Sequence, residues 1–273
     1  MNKERLLSSS IMILAIIGAL FNKWLFLLLL LALTIGGLYE FFYLIKKKGI
    51  PIYSYTGILI GVLIPLTIFF EFELTHTWEL LFMVVLLIMI FLLQFLRRDN
   101  TNAIVGISTT LFGIIYVSWF FSFLIRIRYL MPGFDGVKLV AFILIITKVG
   151  DMGALFIGSM FGKHPLLPRV SPSKTVEGSL GSFVFSIMAA LLGGSLLPQN
   201  LGLSVVHIAL IGAFFGGVGQ LGDLSESLIK RDCNVKDSGN ILPGLGGILD
   251  TIDSILFSAP AFYFYMSSVL KAV

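Results

Sequence analysis

The sequence predicts an all-α, polytopic integral membrane protein with about nine transmembrane helices. Of its 273 residues, 57% are hydrophobic and only 12% are charged, against about 45–50% and about 25% in a soluble domain. The mean hydropathy is +0.99. Apolar runs of about 20 residues, the length of helix that crosses a hydrocarbon core about 30 Å thick, recur along the chain. These features exclude a soluble globule, a disordered chain and a nucleic-acid-binding domain, so no nucleic acid is expected as a partner. The single cysteine, Cys233, excludes an intramolecular disulfide and a multi-cysteine metal cluster.

Nine spans follow in order, at roughly 6–21, 24–45, 53–70, 78–96, 103–125, 137–162, 176–197, 201–222 and 252–271. The first is short and suits a tilted or interfacial arm. It is not read as a cleaved signal, because Asn22-Lys23 turns directly into the next span with no small-residue cleavage site. Gly158-x3-Gly162 and Gly212-x3-Gly216 predict close helix approach.

Lysine and arginine in the loops set the orientation. With the N-terminus inside, that side holds Lys3, Arg5, Lys46, Lys47, Lys48, Arg97, Arg98, Lys163, Arg169, Lys174, Lys230, Arg231 and Lys236. The other side holds Lys23, Arg126, Arg128, Lys138 and Lys271, while the acids Glu71 and Glu73 fall outside as expected. An odd span count puts the C-terminus outside.

Polarity concentrates late in the chain. The stretch from Asp223 to Asp253 is the longest polar segment, with six acids at 223, 226, 232, 237, 250 and 253. At 3.6 residues per turn, Asp223, Glu226, Ser227, Lys230 and Arg231 share one face of a helix that continues the eighth span. A carboxylate near the membrane surface, with cations further out, suits a metal and a polyphosphate. The plainer reading is a surface helix with a Glu226–Lys230 pair worth only about 0.2–0.5 kcal/mol. Gly244, Gly246 and Gly247, in Pro-Gly-Leu-Gly-Gly, let backbone approach an anion at the start of the last span. Asp250 and Asp253 are spaced i,i+3 there and can converge on one cation. Oxygen-only ligands suit magnesium.

A second polar segment, Phe161 to Gly178, is basic and lies on the same side. Ser171, Lys174 and Thr175 are its candidate phosphate binders, and prolines 165, 168 and 172 stiffen it into an extended path. Within the sixth span, Lys148 and Asp151 are i,i+3 and can pair, facing the bundle interior or a polar cavity. His76, His164 and His207 are too scattered for a zinc site.

Together these motifs resemble the phosphatidate cytidylyltransferase family, also called CDP-diacylglycerol synthases. The resemblance rests on Ser227, Lys230-Arg231, Lys236-Asp237, Gly239, Pro243 to Gly247, Asp250-Thr251 and Asp253. It rests further on Gly222 to Ser227, Phe161 to His164 and Ser171 to Gly178, and so covers about residues 148–254. Leu245 stands where the family has histidine, Thr251 where it has arginine, and Val176 where an aromatic is usual.

The resemblance implies joining of CTP and phosphatidic acid into CDP-diacylglycerol, with release of pyrophosphate. It implies catalytic roles for Asp223, Lys230, Arg231, Lys236, Asp237, Asp250 and Asp253, with Mg2+ on Asp223, Asp250 and Asp253. It implies substrate-binding roles for Asp151, Ser171, Lys174, Thr175, Ser227, Gly244, Gly246 and Gly247. The partners are then CTP, phosphatidic acid and the lipid bilayer, with homo-oligomerisation left open. The site would face the cytoplasm from a multi-pass protein of the inner (plasma) membrane. The expected division is N-terminal transmembrane helices over 1–102, a middle helix and outer loop over 103–136, and a C-terminal catalytic bundle over 137–273. A polyprenol kinase, releasing CDP, and a transporter using Lys148 and Asp151 are the rival readings.

Overall fold

A computed structural model describes residues 3–72, 78–244 and 246–272. Glu73, His76 and Leu245, each named above, lie outside the described residues. The chain folds as α1 (Lys3–Phe21), α2 (Lys23–Lys47), α3 (Ser54–Phe69), α4 (Trp78–Phe95), α5 (Ala103–Gly113) and α6 (Phe120–Tyr129). It continues as α7 (Phe134–Phe161), a hairpin of β1 (Pro165–Leu167) and β2 (Ser171–Thr175), α8 (Val176–Leu192), α9 (Val205–Asp232) and α10 (Ile248–Ala272). A π-helical turn, Ile114–Trp119, joins α5 to α6 into one rod. The protein is therefore an all-α, polytopic membrane protein, its only strands among the described residues being that short hairpin.

Each helical rod among the described residues overlies one of the predicted spans. Four of them, Lys23–Lys47, Ala103–Tyr129, Phe134–Phe161 and Val205–Asp232, are long and apolar enough to cross a membrane by length and composition. Leu7–Phe21, Ser54–Phe69, Leu81–Phe95 and Val176–Leu192 are shorter apolar helices. The Asn22 turn forms as expected, its Oδ1 accepting the amides of Trp24 at 2.9 Å and Leu25 at 3.3 Å. Helix α8 stops at Leu192, short of the predicted 197, because Gly193-Gly194 ends it in a 3-10 turn.

The C-terminal helices pack on small residues. A Cβ at Gly212 would lie 2.7 Å from the Ser186 carbonyl, and one at Gly216 would lie 2.6 Å from Ser186 Oγ. The glycine stripe on α9 thus seats α8 at backbone distance, as the spacing predicts.

Helix α9 has 28 residues. At about 1.5 Å per residue it is about 42 Å long, more than a hydrocarbon core about 30 Å thick. Its final turns therefore reach beyond the apolar layer and bring polar residues beside the hairpin and the start of α10. The hairpin folds where an extended path was expected. The Glu177 carboxylate braces its base, accepting the amides of Lys163 at 3.1 Å and His164 at 3.2 Å and meeting His164 Nδ1 at 2.6 Å. Arg231 donates through Nε to the Val170 carbonyl at 3.2 Å, fastening the hairpin to α9.

Candidate functional site

The site forms where the end of α9 meets the beginning of α10. Gly222 makes the approach possible, because a Cβ there would fall 2.4 Å from the Asp253 carbonyl. One carboxylate oxygen from each of Asp223, Glu226 and Asp253 lies within 4.8 Å of the others. Asp223 and Glu226 stand one turn apart on α9, and Asp253 faces them from α10. Glu226 is fully buried and Asp253 is 6% exposed.

Two lysines border this group. Lys174 of β2 pairs with Asp223 at 2.7 Å and donates to Ser227 Oγ at 3.3 Å. Lys230 Nζ lies 2.5 Å from both Glu226 Oε2 and Asp250 Oδ1. Neither buried oxygen of Glu226 receives a well-directed hydrogen bond among the described residues. An under-satisfied carboxylate at this depth is costly. A bound cation would relieve that cost. The donor set is three hard oxygens, which suits a magnesium ion that keeps part of its shell for water and phosphate. On these grounds the residues fit the ion implied by the sequence.

Asp250, expected with Asp223 and Asp253 on one ion, adjoins the group at Glu226, because Lys230 Nζ lies 2.5 Å from a carboxylate oxygen of each. Its Oδ2 accepts the amides of Gly247 at 2.8 Å and Ser238 at 3.1 Å, and Ser238 Oγ at 3.0 Å. Its Oδ1 accepts Lys230. Glu226 joins Asp223 and Asp253 in the closest group of acids among the described residues.

Other expected residues have these places in the fold. Thr175 Oγ1 accepts the Gly178 amide at 3.1 Å and so caps α8. The Gly246 amide pairs with the Leu242 carbonyl at 3.1 Å, closing a small loop in which Gly244 and Gly246 have φ of 75° and 98°. Those left-handed angles explain glycine at both positions. Arg231 also bonds the Val235 carbonyl at 3.3 Å. Ser171 is buried and lies 3.5 Å from Ser173 Oγ. Lys236 and Asp237 are exposed on the loop that follows α9.

Lys148 and Asp151 do pair, at 3.1 Å. Lys148 also donates to the Thr251 carbonyl at 2.9 Å and to Ser254 Oγ at 3.0 Å, and Ser254 donates to Asp151 at 2.8 Å. This pair binds α7 to the first turns of α10.

Comparison with known proteins identifies the family. The profile of the cytidylyltransferase family matches residues 3–269. The chain belongs to that family. A phosphatidate cytidylyltransferase of Bacillus subtilis is 35% identical, with 97% of each chain covered. Another from Haemophilus influenzae is 31% identical, over 97% of this chain and 99% of the relative. One from Synechocystis is 30% identical, over 100% and 99%. The match to the family reaches well into the N-terminal half, where sequence motifs gave no purchase.

That half supplies a residue which motif reading missed. Glu40 of α2 is buried, and its carboxylate accepts the first amides of α10, Ile248 at 3.0 Å and Leu249 at 2.8 Å. It also accepts Ser238 Oγ at 2.9 Å. The available signal was a lone acid in an otherwise apolar span, which is expensive in a membrane unless it is paired or hydrogen-bonded. Glu226 had a signal too, since it shares the helical face of Asp223.

Proposed function

We propose that this chain transfers the cytidylyl group of CTP to phosphatidic acid, giving CDP-diacylglycerol and pyrophosphate for phospholipid biosynthesis. The observation that supports it best is the group Asp223, Glu226 and Asp253, flanked by Lys174 and Lys230, in a chain similar over its whole length to named phosphatidate cytidylyltransferases.

In such a transfer the lipid phosphate is the nucleophile. No protein side chain has to attack, and the work is alignment and charge compensation of two polyanions. Asp223, Glu226 and Asp253 would hold Mg2+, which supplies Lewis-acid polarisation of a phosphate oxygen and compensates its charge. Lys174 stands at the edge of the acidic group, partly exposed, and offers its ammonium to a phosphate. Its present partners, Asp223 and Ser227, keep it extended toward that place. Lys230 is held between Glu226 and Asp250, a fixed positive charge beside the acids. Arg231 and Lys236 lie further out, where a triphosphate tail would extend. Ser227, 7% exposed, points its hydroxyl at Lys174 and fixes the ammonium.

In the nine-span arrangement, with the N-terminus inside, this end faces the cytoplasm from the plasma membrane. There soluble CTP can meet a lipid headgroup.

The test is pyrophosphate release by the purified chain in detergent–lipid micelles. The reading predicts release that requires CTP, phosphatidic acid and magnesium together. Release of CDP instead would identify a kinase, and no CTP turnover would overturn the reading.

A further inference from the structure

Helix α10 begins at Ile248, directly after the glycine loop, and both of its acids lie in its first two turns. What fixes that beginning is a residue more than two hundred positions away. Glu40 accepts the amides of Ile248 and Leu249, so a carboxylate sits on the positive end of the α10 dipole. The loop is moulded around it. A Cβ at Gly239 would lie 2.3 Å from Glu40 Oε1, and one at Gly247 would lie 2.5 Å from Oε2. Ser238 then bridges two carboxylates with a single hydroxyl, 2.9 Å from Glu40 Oε2 and 3.0 Å from Asp250 Oδ2. Asp250 in turn holds Lys230 at 2.5 Å, and Lys230 touches Glu226. An unbroken polar chain thus runs from α2 to the acidic group. Asp253, on the turn after Asp250, takes its depth and rotation from the same anchored start.

We propose that Glu40 is a positioning residue of the active site. It acts through Ser238 and the first amides of α10 to set Asp250 and Asp253 against Asp223 and Glu226. It touches neither substrate, and its effect is felt in the geometry that receives the cation. This inference rests on the cytidylyltransferase reading above.

The test uses the full chain in detergent–lipid micelles and the variants Glu40→Gln, Ser238→Ala, Ser238→Thr and the Glu40→Gln, Ser238→Ala double. Glu40→Gln keeps the shape of the side chain but faces an amide NH2 toward other donors. The expected result is a roughly tenfold fall in kcat and a severalfold rise in the magnesium needed for half-maximal rate. The KM for phosphatidic acid stays near its native value. Because Glu40 and Ser238 act as one unit, the double variant loses no more than the worse single one. Ser238→Thr, which keeps the hydroxyl, recovers most of the activity lost in Ser238→Ala.

Native kcat and magnesium dependence in Glu40→Gln would overturn the proposal. So would losses that multiply in the double variant, or a loss explained wholly by a smaller folded fraction in thermal unfolding. An inactive native chain in the same assay would instead overturn the underlying reading.

Discussion

Two groups of carboxylates meet at the start of α10, through Asp250 and Asp253 one turn apart, and they are finished differently. Asp250 and Glu40 have their oxygens taken up by backbone amides, a serine hydroxyl and Lys230. Asp223, Glu226 and Asp253 crowd together, and the oxygens of Glu226 lack well-directed donors among the described residues. The first group is closed and organises backbone. The second is open and organises charge. Buried polar groups are normally satisfied. Glu226 is the exception here, since Asp223 pairs with Lys174 and Asp253 accepts the Ser254 amide, and it stands where the proposed cation would sit. The neighbouring lysines divide in the same way. Lys230 is clamped on two sides, whereas Lys174 leans over the open group from the hairpin.

Substitutions separate the two groups. The largest effect is expected at Glu226. Glu226→Ala removes one of the two carboxylates that hold Lys230, opens a cavity in a buried site and takes an acid from the open group. Both a lower unfolding temperature and activity down by about a hundredfold or more are expected. Native turnover in this variant would remove Glu226 from the site.

Next come Asp223→Asn and Asp253→Asn. Each is expected to fold and to lose at least about tenfold in rate, on the order of 1.4 kcal/mol of barrier. In both, raising magnesium should recover part of the loss. If turnover at low magnesium matches the native chain, the open group does not hold the ion.

Asp250→Asn sharpens the contrast. A carboxamide there keeps an acceptor for the Gly247 and Ser238 amides but weakens the hold on Lys230. The rate is expected to fall by roughly tenfold with the magnesium requirement unchanged. A raised magnesium requirement would move Asp250 from the closed group to the open one.

The smallest effect concerns sidedness. Both groups sit at the end of the bundle that the proposed topology turns to the cytoplasm. A cysteine introduced at exposed Ser173 should react with an impermeant thiol reagent from that side alone. Cys233 is a poor reporter, since it is 8% exposed and burial pushes its thiol pKa up. It should label slowly, and from that same side alone. Labelling of Ser173→Cys from outside would reverse the orientation.

Much of this was legible in the sequence because membranes impose blunt rules. The apolar runs located the helices, since only a helix satisfies its backbone within the hydrocarbon. The i,i+3 and i,i+4 spacings put Asp223 and Glu226 on one face and paired Lys148 with Asp151. What spacing does not encode is which carboxylate is already occupied. Asp250 and Asp253 look equivalent as i,i+3 acids. Only the position of Ser238 and the Gly247 amide distinguishes them, and both depend on a loop path built from positive-φ glycines. Spacing likewise does not show that the Thr175 oxygen caps α8, a role that leaves its O–H free to donate. Glu40 lay furthest from reach, because its partners are 198 to 209 residues away in the chain. A lone acid in an apolar span was the available sign.

The central question is which acids hold the cation. Titration of the purified, substrate-free chain with Mn2+, followed by electron paramagnetic resonance of the unbound ion, tests that most directly. The native chain and Asp250→Asn should bind the ion alike, while Glu226→Gln and Asp253→Asn should lose it. Loss of binding in Asp250→Asn together with retention in Glu226→Gln would contradict the division between the open and closed groups.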